Sequence, residues 1–316
     1  MNFIRWLKRC RSILQNQWTP KPPTKIMKII LFSTTLALAI VTLSFNAIVD
    51  MKIERSFTID SLGACQGISY QQGKLFLYGD RETGVIREYR EDADSLVYLG
   101  HEMKLTLHDT DVINHPTGIA YHEKDPVFIG NSIRLNKEGT LWKAMIYCVN
   151  WQGLQRTGSL DGNLINTIED DACIQGTRPE YVQYGNKWFV ATADYGGKAN
   201  EVRLYDPALL KKVKRTSEKG VVFKKFTCDP WVQNLHWMAD KGILVLIQNQ
   251  VEGRKWRFAF LDLDKSIRDG KQSVIKVVDL SPENELEGFT FLKDYTRGIA
   301  VSSSRRNNAT MISVQD

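Results

Sequence analysis

Two carboxylates mark the open end of a predicted β-hairpin, Glu180 where the hairpin begins and Asp194 where it closes. The stretch "EYVQYGNKWFVATAD" has the alternating pattern of two strands joined by a tight turn at Gly185-Asn186-Lys187. At the end away from the turn we expect the two acids side by side, where they repel each other unless a cation or water lies between them. Carboxylates arranged in this way can hold a metal ion or serve as a general acid and base.

The same hairpin recurs along residues 50–316 of this 316-residue chain. The other copies are "QGISYQQGKLFLYGD", "TGIAYHEKDPVFIGN", "NLHWMADKGILVLIQN" and "EGFTFLKDYTRGIAVSSS". A third strand follows every hairpin, as in "VIREYR", and fourth strands such as "VVFKKFTC" and "VIKVVDL" follow some of them. Four-stranded units at a spacing of roughly 50–60 residues are typical of the blades of a β-propeller.

Five such units predict an all-β fold, a five-bladed propeller over residues 50–316. The last unit lacks a fourth strand, and "KIERSFTI" (residues 52–59) can supply it and close the ring, which pairs an otherwise exposed edge. Six blades are the alternative, because "SLDGNLINTIEDDACI" between the second and third hairpins could form a degenerate blade. The sequence has no helix–strand alternation of the kind that indicates a parallel α/β sheet.

The polar ends of the five hairpins should meet at one mouth, because the innermost strand of each propeller blade lines the axial channel. The hairpins open with Gln66, Thr117, Glu180, Asn234 and Glu287, and close with Asp80, Asn131, Asp194, Asn249 and a serine in residues 302–304. Carboxylate and amide oxygens around a narrow axis suit a hard cation, above all Ca²⁺, which takes about six to eight oxygen ligands. The predicted ligands of this divalent cation are Asp80, Asn131, Glu180, Asn234, Asn249 and Glu287. The alternative is that these side chains cap loops or meet channel water.

Other side chains at the predicted mouth could take part in catalysis or substrate binding. His115 precedes the second hairpin and His236 lies within an inner strand, so either could face the channel as a general base. Asp194 is the third candidate catalytic residue. The candidate substrate-binding residues, all cations near the ends of hairpins, are Arg81, Arg305 and Arg306. They could bind an anionic substrate or balance the neighbouring acids.

The first 49 residues differ from the remainder. Residues 1–28 hold seven Lys and Arg and no acid, and residues 29–49, "IILFSTTLALAIVTLSFNAIV", are uncharged and long enough to span a hydrocarbon core of roughly 30 Å. We interpret these segments as a basic cytoplasmic tail and a transmembrane anchor, which place residues 50–316 outside the cytoplasm, in a periplasmic, extracellular or lumenal space. The alternative is a cleaved signal peptide and a secreted domain.

The distribution of charge gives no sign of nucleic-acid binding, and the cysteine content leaves disulfide formation open. The formal charge of +6 comes from the N-terminal segment, since the remainder has 35 basic and 36 acidic residues. The pI of about 8.9 is therefore no sign of nucleic-acid binding. The four cysteines in residues 50–316 allow three disulfide patterns. Cys173 and Cys228, which precede neighbouring hairpins, are one candidate pair, and buried free thiols are an equally good interpretation.

Short pieces of the chain, about a quarter of its length, resemble known propeller families. "QGKLFLYGDRETGVI" looks like the first-blade hairpin of the calcium-activated nucleotidases (apyrases), five-bladed propellers with an axial Ca²⁺. "LEGFTF" and "RPEYV" are similar to their Glu-bearing openers, and the resemblance implies that Asp80, Glu180 and Glu287 are cation ligands. This chain departs from that family with Thr117 in the second repeat and Gln233-Asn234 in the fourth. "EGF" also resembles the Glu-Gly opener of the six-bladed gluconolactonase/regucalcin-like hydrolases.

Both resemblances imply an axial divalent cation and the hydrolysis of an anionic or ester substrate. The first hypothesis is therefore an exported, membrane-anchored, metal-dependent hydrolase of a phosphate ester or lactone-type small molecule. The second is a propeller that binds a ligand or protein without catalysis, since a fold does not determine a function. The third is a glycosidase whose acid and base come from Glu180, Asp194 and Glu287. Metal dependence of turnover separates the first from the third.

Overall fold

The computed structural model describes residues 50–80, 82–93, 95–173 and 175–315. In chain order its strands are β1 (Asp50–Phe57), β2 (Cys65–Gln71), β3 (Lys74–Asp80), β4 (Gly84–Glu91), β5 (Leu96–Lys104), β6 (Thr106–Leu107), β7 (Thr110–Asp111), β8 (Pro116–Ala120), β9 (Val127–Arg134), β10 (Trp142–Val149), β11 (Leu164–Glu169), β12 (Glu180–Tyr184), β13 (Lys187–Ala193), β14 (Glu201–Tyr205), β15 (Val222–Thr227), β16 (Val232–Met238), β17 (Ile243–Val251), β18 (Lys255–Asp262), β19 (Val274–Leu280), β20 (Leu286–Phe291), β21 (Arg297–Ser302) and β22 (Ala309–Gln315). The helices of the described ranges are α1 (Trp151–Thr157), α2 (Pro207–Leu210) and α3 (Leu263–Asp269).

Twenty of these strands form five four-stranded antiparallel sheets, and β6 pairs with β7. The five sheets confirm the predicted all-β, five-bladed propeller. Blades 1 to 4 are β2–β5, β8–β11, β12–β15 and β16–β19, and blade 5 contains β20, β21, β22 and β1. The stretch that could have formed a sixth blade instead provides β11, the outer strand of blade 2. In blade 5, β1 pairs with β22 from Asp50↔Gln315 to Phe57↔Ala309, so the first and last described strands share one sheet.

Turn chemistry fixes the register of the inner hairpins. Gln72 and Gly73, between β2 and β3, have φ angles of 50° and 82°. Gly185 and Asn186, between β12 and β13, have φ angles of 54° and 64°. Two consecutive residues at positive φ form the type I′ turn, whose twist matches that of the flanking strands. The predicted turn in the third hairpin is therefore confirmed.

The hydrophobic core consists of five clusters, one between each pair of neighbouring blades. Between blades 4 and 5, for example, the rings of Phe258 and Phe289 meet edge to face with centroids 5.0 Å apart. Met51 of β1 belongs to the same cluster. Because every blade buries one face on each neighbour, the position of each inner strand at the axis depends on the packing of the whole ring.

We expect β1 to be essential for the stability of the ring. A protein consisting of residues 50–316 should fold, whereas one that also lacks residues 50–60 should lose most of its stability. The longer deletion exposes the β22 edge and removes buried Met51 from the core. Thermal unfolding of the two proteins measures the difference, and the shorter deletion is the control. Equal melting temperatures would show that β1 contributes little.

Candidate functional site

The inner strands begin with a β-bulge in four of the five blades. The register shifts between Cys65 and Gly67, between Pro116 and Gly118, between Val232 and Asn234, and between Leu286 and Gly288. A bulge leaves one residue unpaired and changes the direction of its side chain. The unpaired residues at the mouth are Gln66, Thr117, Gln233 and Glu287.

The predicted openers therefore do not occupy equivalent positions. Asn234 is the residue after the bulge, and Glu180 is the first paired residue of β12, opposite Ala191. Adjacent strand positions face opposite directions, so a one-residue offset moves a side chain to a different environment. Gln66 and Glu287 line a cavity at the mouth, whereas Glu180 lines a separate cavity at the opposite end of the channel.

The blades approach one another so closely at the axis that the channel is divided. A Cβ atom on Gly288 would lie 2.8 Å from the Cα of Gly67 in the neighbouring blade. The Tyr78 ring covers Gly67, and Asn234 Nδ2 of blade 4 donates a hydrogen bond to the Tyr78 hydroxyl of blade 1 at 3.1 Å. Blades 1 and 4 are not neighbours, so this bond crosses the axis. The same amide nitrogen also donates to the Thr117 carbonyl of blade 2 at 3.3 Å.

The cavity on the mouth side of this partition, here called the mouth cavity, has a volume of about 420 Å³. It is lined by Ala64, Gln66, His115, Ser132, Arg134, Gly139, Trp142, Gln175, Gly176, Arg178, Tyr195, Gln233, Glu285, Glu287 and Ser303. Two predicted site residues, His115 and Glu287, meet here. A third, Asp80, contacts His115.

Glu287 is a buried acid with a perturbed pKa. Its side chain is 5% exposed, and no described residue hydrogen-bonds its carboxylate. Burial raises the pKa of Glu287 well above its usual value, Glu285 and Asp80 raise it further, and Arg178 opposes them. The buried site therefore favours the protonated form of the carboxyl group, which can donate a proton.

Arg178 is a functional residue that the sequence analysis missed. It is 4% exposed, and its guanidinium donates to the Gln233 carbonyl at 3.1 Å, to Gln233 Oε1 at 2.9 Å and to Ser132 Oγ at 3.4 Å. It also lies 5.1 Å from the centre of the Tyr195 ring. Burial lowers the pKa of Arg178, although Glu287 opposes this effect, and the group stays charged. A lone arginine before Pro179 gave no periodic signal that could have identified it.

His115 and Asp80 form a hydrogen-bonded pair at the mouth. His115 Nδ1 lies 3.2 Å from Asp80 Oδ2, and both side chains are partly exposed. Asp80 also accepts hydrogen bonds from Ala64 N at 3.1 Å and from Gln66 Nε2 at 3.2 Å. The carboxylate therefore fixes the ring orientation, with Nδ1 as the donor and Nε2 free to act as a base.

Asp194 does not belong to the mouth cavity, and its expected position beside Glu180 was wrong. Glu180 pairs with Ala191, three residues before Asp194. Asp194 is fully buried and forms an ion pair of 3.1 Å with Arg203, and it accepts a hydrogen bond from Glu201 N. Its charge is therefore balanced within blade 3. The carboxylates proposed for a glycosidase, Glu180, Asp194 and Glu287, occupy three different environments.

The six predicted calcium ligands do not converge on one point. Asn131 Oδ1 accepts a hydrogen bond from His115 N at 2.9 Å, and the Asp80 carboxylate accepts the three described above. At the mouth, Asn249 Oδ1 has no partner among the described residues, so it could bind a cation, and so could the Glu287 carboxylate. These are fewer oxygens than the six to eight that Ca²⁺ takes. No group of three or more His, Cys, Asp and Glu side chains in the described ranges has a metal-binding arrangement. The side chains as placed do not fit Ca²⁺, and the calcium site stays a prediction.

Two of the three predicted rim arginines are described by the structure, and they lie away from the mouth cavity. Arg305 and Arg306 are exposed in the loop between β21 and β22 and do not line it. Arg81 lies outside the described residues. A larger groove, about 880 Å³, lies elsewhere, around Tyr121, Asn150 and Trp151, and contains none of the predicted site residues.

The cavity at the opposite end of the channel, here called the lower chamber, has a volume of about 200 Å³ and contains Glu180 and His236. Burial raises the pKa of Glu180 to about 8 and lowers the pKa of His236 to about 4. Both groups are therefore uncharged near neutral pH. His236 was a candidate general base for the mouth, but it lies on the other side of the Tyr78–Asn234 partition.

The four cysteines of the described residues are free thiols, so the Cys173–Cys228 disulfide is not formed. Burial raises the pKa of Cys65 to about 12 and that of Cys148 to about 11, which makes them unreactive at neutral pH. Cys173 Sγ donates to Asp194 Oδ1 at 2.8 Å. These cysteines contribute to packing and hydrogen bonding.

Comparison with known proteins identifies no family for this chain. No protein-family model and no curated protein matches the chain. Among solved structures, "Structure of U3-55K" is similar with a TM-score of 0.42 and 8% identity, over 84% of this chain and 98% of that chain. The computationally designed Ika8 protein has a TM-score of 0.37 and 10% identity, over 79% and 70% of the two chains. At these values the similarities carry no functional argument.

In the part of the chain that the structure describes, no helix is long and apolar enough to span a membrane. The predicted basic tail (residues 1–28) and anchor or signal peptide (residues 29–49) lie outside the described residues.

The Arg203–Asp194 pair should be important for stability. Arg203→Ala leaves a buried carboxylate without its cation, and we expect a loss of about 3–5 kcal/mol in the free energy of unfolding. The matched control is Lys225→Ala, which removes an exposed partner of Glu201 and should cost less than about 1 kcal/mol. Urea unfolding measures both. Similar losses in the two variants would contradict the buried pair's role.

Glu180 should make stability depend on pH. The pKa of Glu180 is about 8 in the folded protein and 4.5 as a free side chain. At a pH between these two values, the carboxyl group is protonated in the folded protein and ionised in the unfolded chain. Stability should therefore fall as the pH rises through this window, and Glu180→Gln should remove that part of the decline. Urea unfolding from about pH 5 to about pH 8 tests this. Exposed Glu138→Gln is the control, and an unchanged slope in Glu180→Gln would contradict the assignment.

Proposed function

We propose that the mouth cavity is the active site of a hydrolase that acts on a small polar ester, such as a phosphate ester or lactone. One observation carries the proposal: an oriented imidazole, a buried carboxyl with a raised pKa and a buried arginine all border one cavity. Perturbed ionisable groups that converge in a cleft are typical of active sites.

In this proposal His115 is the general base. Its Nδ1–H donates to Asp80, which leaves Nε2 to remove a proton from a water molecule in the cavity. Asp80 is a positioning residue, since it acts through the imidazole and is itself held by Ala64 N and Gln66. The arrangement is the carboxylate–histidine pair that other hydrolases use to orient a base.

Glu287 is the general acid. Because burial favours the protonated form of its carboxyl group, Glu287 can donate a proton to the leaving oxygen while water adds to the acyl carbon or phosphorus. His115 takes the water proton and Glu287 supplies one to the alcohol, so the protons balance. Exchange with solvent restores both groups.

Arg178 binds the negative charge of the substrate or of the transition state. Three of its N–H groups hold it against Gln233 and Ser132, and a guanidinium has five. The others are available to an oxyanion or phosphate oxygen, and their strength increases in a cavity from which water is partly excluded.

The predicted localisation and the apyrase-like hairpin agree with this proposal but do not identify the substrate. We retain export of residues 50–316 by the N-terminal segment as part of the proposal, with access to substrates outside the cytoplasm. A divalent cation is not required by the steps above.

Turnover of a panel of chromogenic phosphate esters and lactones tests the proposal. We expect His115→Ala and Glu287→Gln each to lower kcat by about 10²–10⁴-fold, as removal of a general base or acid does. Glu283→Gln, an exposed acid four residues before Glu287, and His101→Asn, outside the cavity, are the matched controls and should retain activity. No turnover on any substrate would favour a non-catalytic binding module, whereas full activity in both site variants would show that the reaction takes place elsewhere.

Cation dependence is tested separately by melting the protein in calcium, magnesium, manganese or chelator. We expect equal melting temperatures, because three of the six predicted ligands, Asp80, Asn131 and Glu180, already accept hydrogen bonds from N–H groups of the chain. A cation at a hundredfold its Kd would add about 2.7 kcal/mol of stability. A rise that disappears in Glu287→Gln would contradict this expectation and restore the predicted metal site.

A further inference from the structure

The lower chamber has the features of a second binding site. It is separated from the mouth cavity by the Tyr78–Asn234 bond across the axis, so it does not serve the proposed reaction. Its volume of about 200 Å³ equals that of about six or seven water molecules at roughly 30 Å³ each. Pockets for drug-sized ligands are larger, roughly 300–1,000 Å³, so the occupant must be smaller.

Several polar atoms of the residues lining the chamber lack a partner. Among the described residues, Gln71 Oε1, His236 Nε2 and Trp237 Nε1 are buried without a hydrogen bond. Buried polar atoms are seldom left in this state, and a cluster of them around one cavity indicates a missing partner. Together with the Glu180 carboxyl they offer both donors and acceptors, arranged around a common space.

The walls of the chamber are aromatic and carry little charge. Tyr70, Tyr121, Trp188 and Trp237 line it, and His122 stacks on Trp188 with centroids 3.9 Å apart. The His122 ring is held by Asp125 at 2.7 Å. Since Glu180 is protonated and His236 is neutral near pH 7, the lining offers no countercharge for an ion. A charged ligand would lose its hydration there without a compensating ion pair.

We propose that the lower chamber binds a neutral, monosaccharide-sized polyol. Hydroxyl groups of such a ligand can both donate to Gln71 Oε1 and accept from Trp237 Nε1–H. Its apolar C–H faces pack on the tyrosine and tryptophan rings, which combine a large apolar surface with a polar edge. Aromatic walls with a few convergent uncharged polar groups suit a ligand of this chemistry better than an ion or a purely apolar molecule.

The test is calorimetric titration of the full chain with a panel of neutral hexoses and with their charged counterparts, glucuronate and glucosamine. We expect saturable binding of at least one neutral hexose, with a Kd of about 1 mM or tighter, and at least tenfold weaker binding of the charged sugars. Absence of saturable binding would mean that the chamber holds water only and would overturn the proposal. Equal binding of charged and neutral sugars would also overturn it.

Two variants locate the site. Ala239 is exposed and lines the chamber, so Ala239→Trp should obstruct it and abolish binding, whereas Ala208→Trp, an exposed alanine of α2, is the matched control and should bind normally. Gln71→Leu should weaken binding at least tenfold by removing an acceptor, and it remains informative should Ala239→Trp not fold. Glu287→Gln, in the mouth cavity, should leave sugar binding unchanged. Normal binding in both chamber variants would place the sugar elsewhere and refute the proposal.

Discussion

The close approach of five inner strands at the axis is the constraint on which the rest of the structure depends. Gly67 and Gly288 bring neighbouring backbones so near that neither position has room for a side chain. Tyr78 fills the remaining space and meets Asn234 from a blade that is not its neighbour. A single polar channel thus becomes two cavities with different chemistry. The bulged residues Gln66 and Glu287 line the mouth cavity, whereas Glu180, at the start of a strand without a bulge, lines the lower chamber.

The electrostatics of the buried groups follow from this division. Asp194 and Arg203 are both buried and neutralise each other inside blade 3. Arg178 faces the mouth, where Glu287 partly offsets its desolvation. Glu180 has no cation near it, so burial alone raises its pKa. These buried ionisable groups therefore differ in their environments, because the free-energy cost of burying a charge depends on its partner and not on the residue type.

The repeat could be predicted from the sequence because each hairpin carries its own signal. Alternation, tight turns and the regular spacing of five units identified the strands and the blade number, and the structure confirmed both. The site could be predicted only in part. A bulge adds one unpaired residue without any change in local pattern, so Glu180 and Asn234 were assigned to the same ring as Glu287. Arg178 was missed for a related reason: its partners Ser132 and Gln233 come from the two adjacent blades, and a single strand carries no sign of them.

The two cavities have no lining residue in common, which limits how they can influence each other. Any coupling between a ligand at the mouth and one in the lower chamber must pass through the Tyr78 hydroxyl, Asn234 and the Thr117 carbonyl, which are packed between them. Tyr78 is 1% exposed and close-packed over Gly67, so it has little freedom to adopt a second arrangement. Coupling requires an element with two accessible states. We therefore regard the propeller as a rigid ring that presents two independent sites on opposite faces, with the glycine positions at the axis keeping them apart.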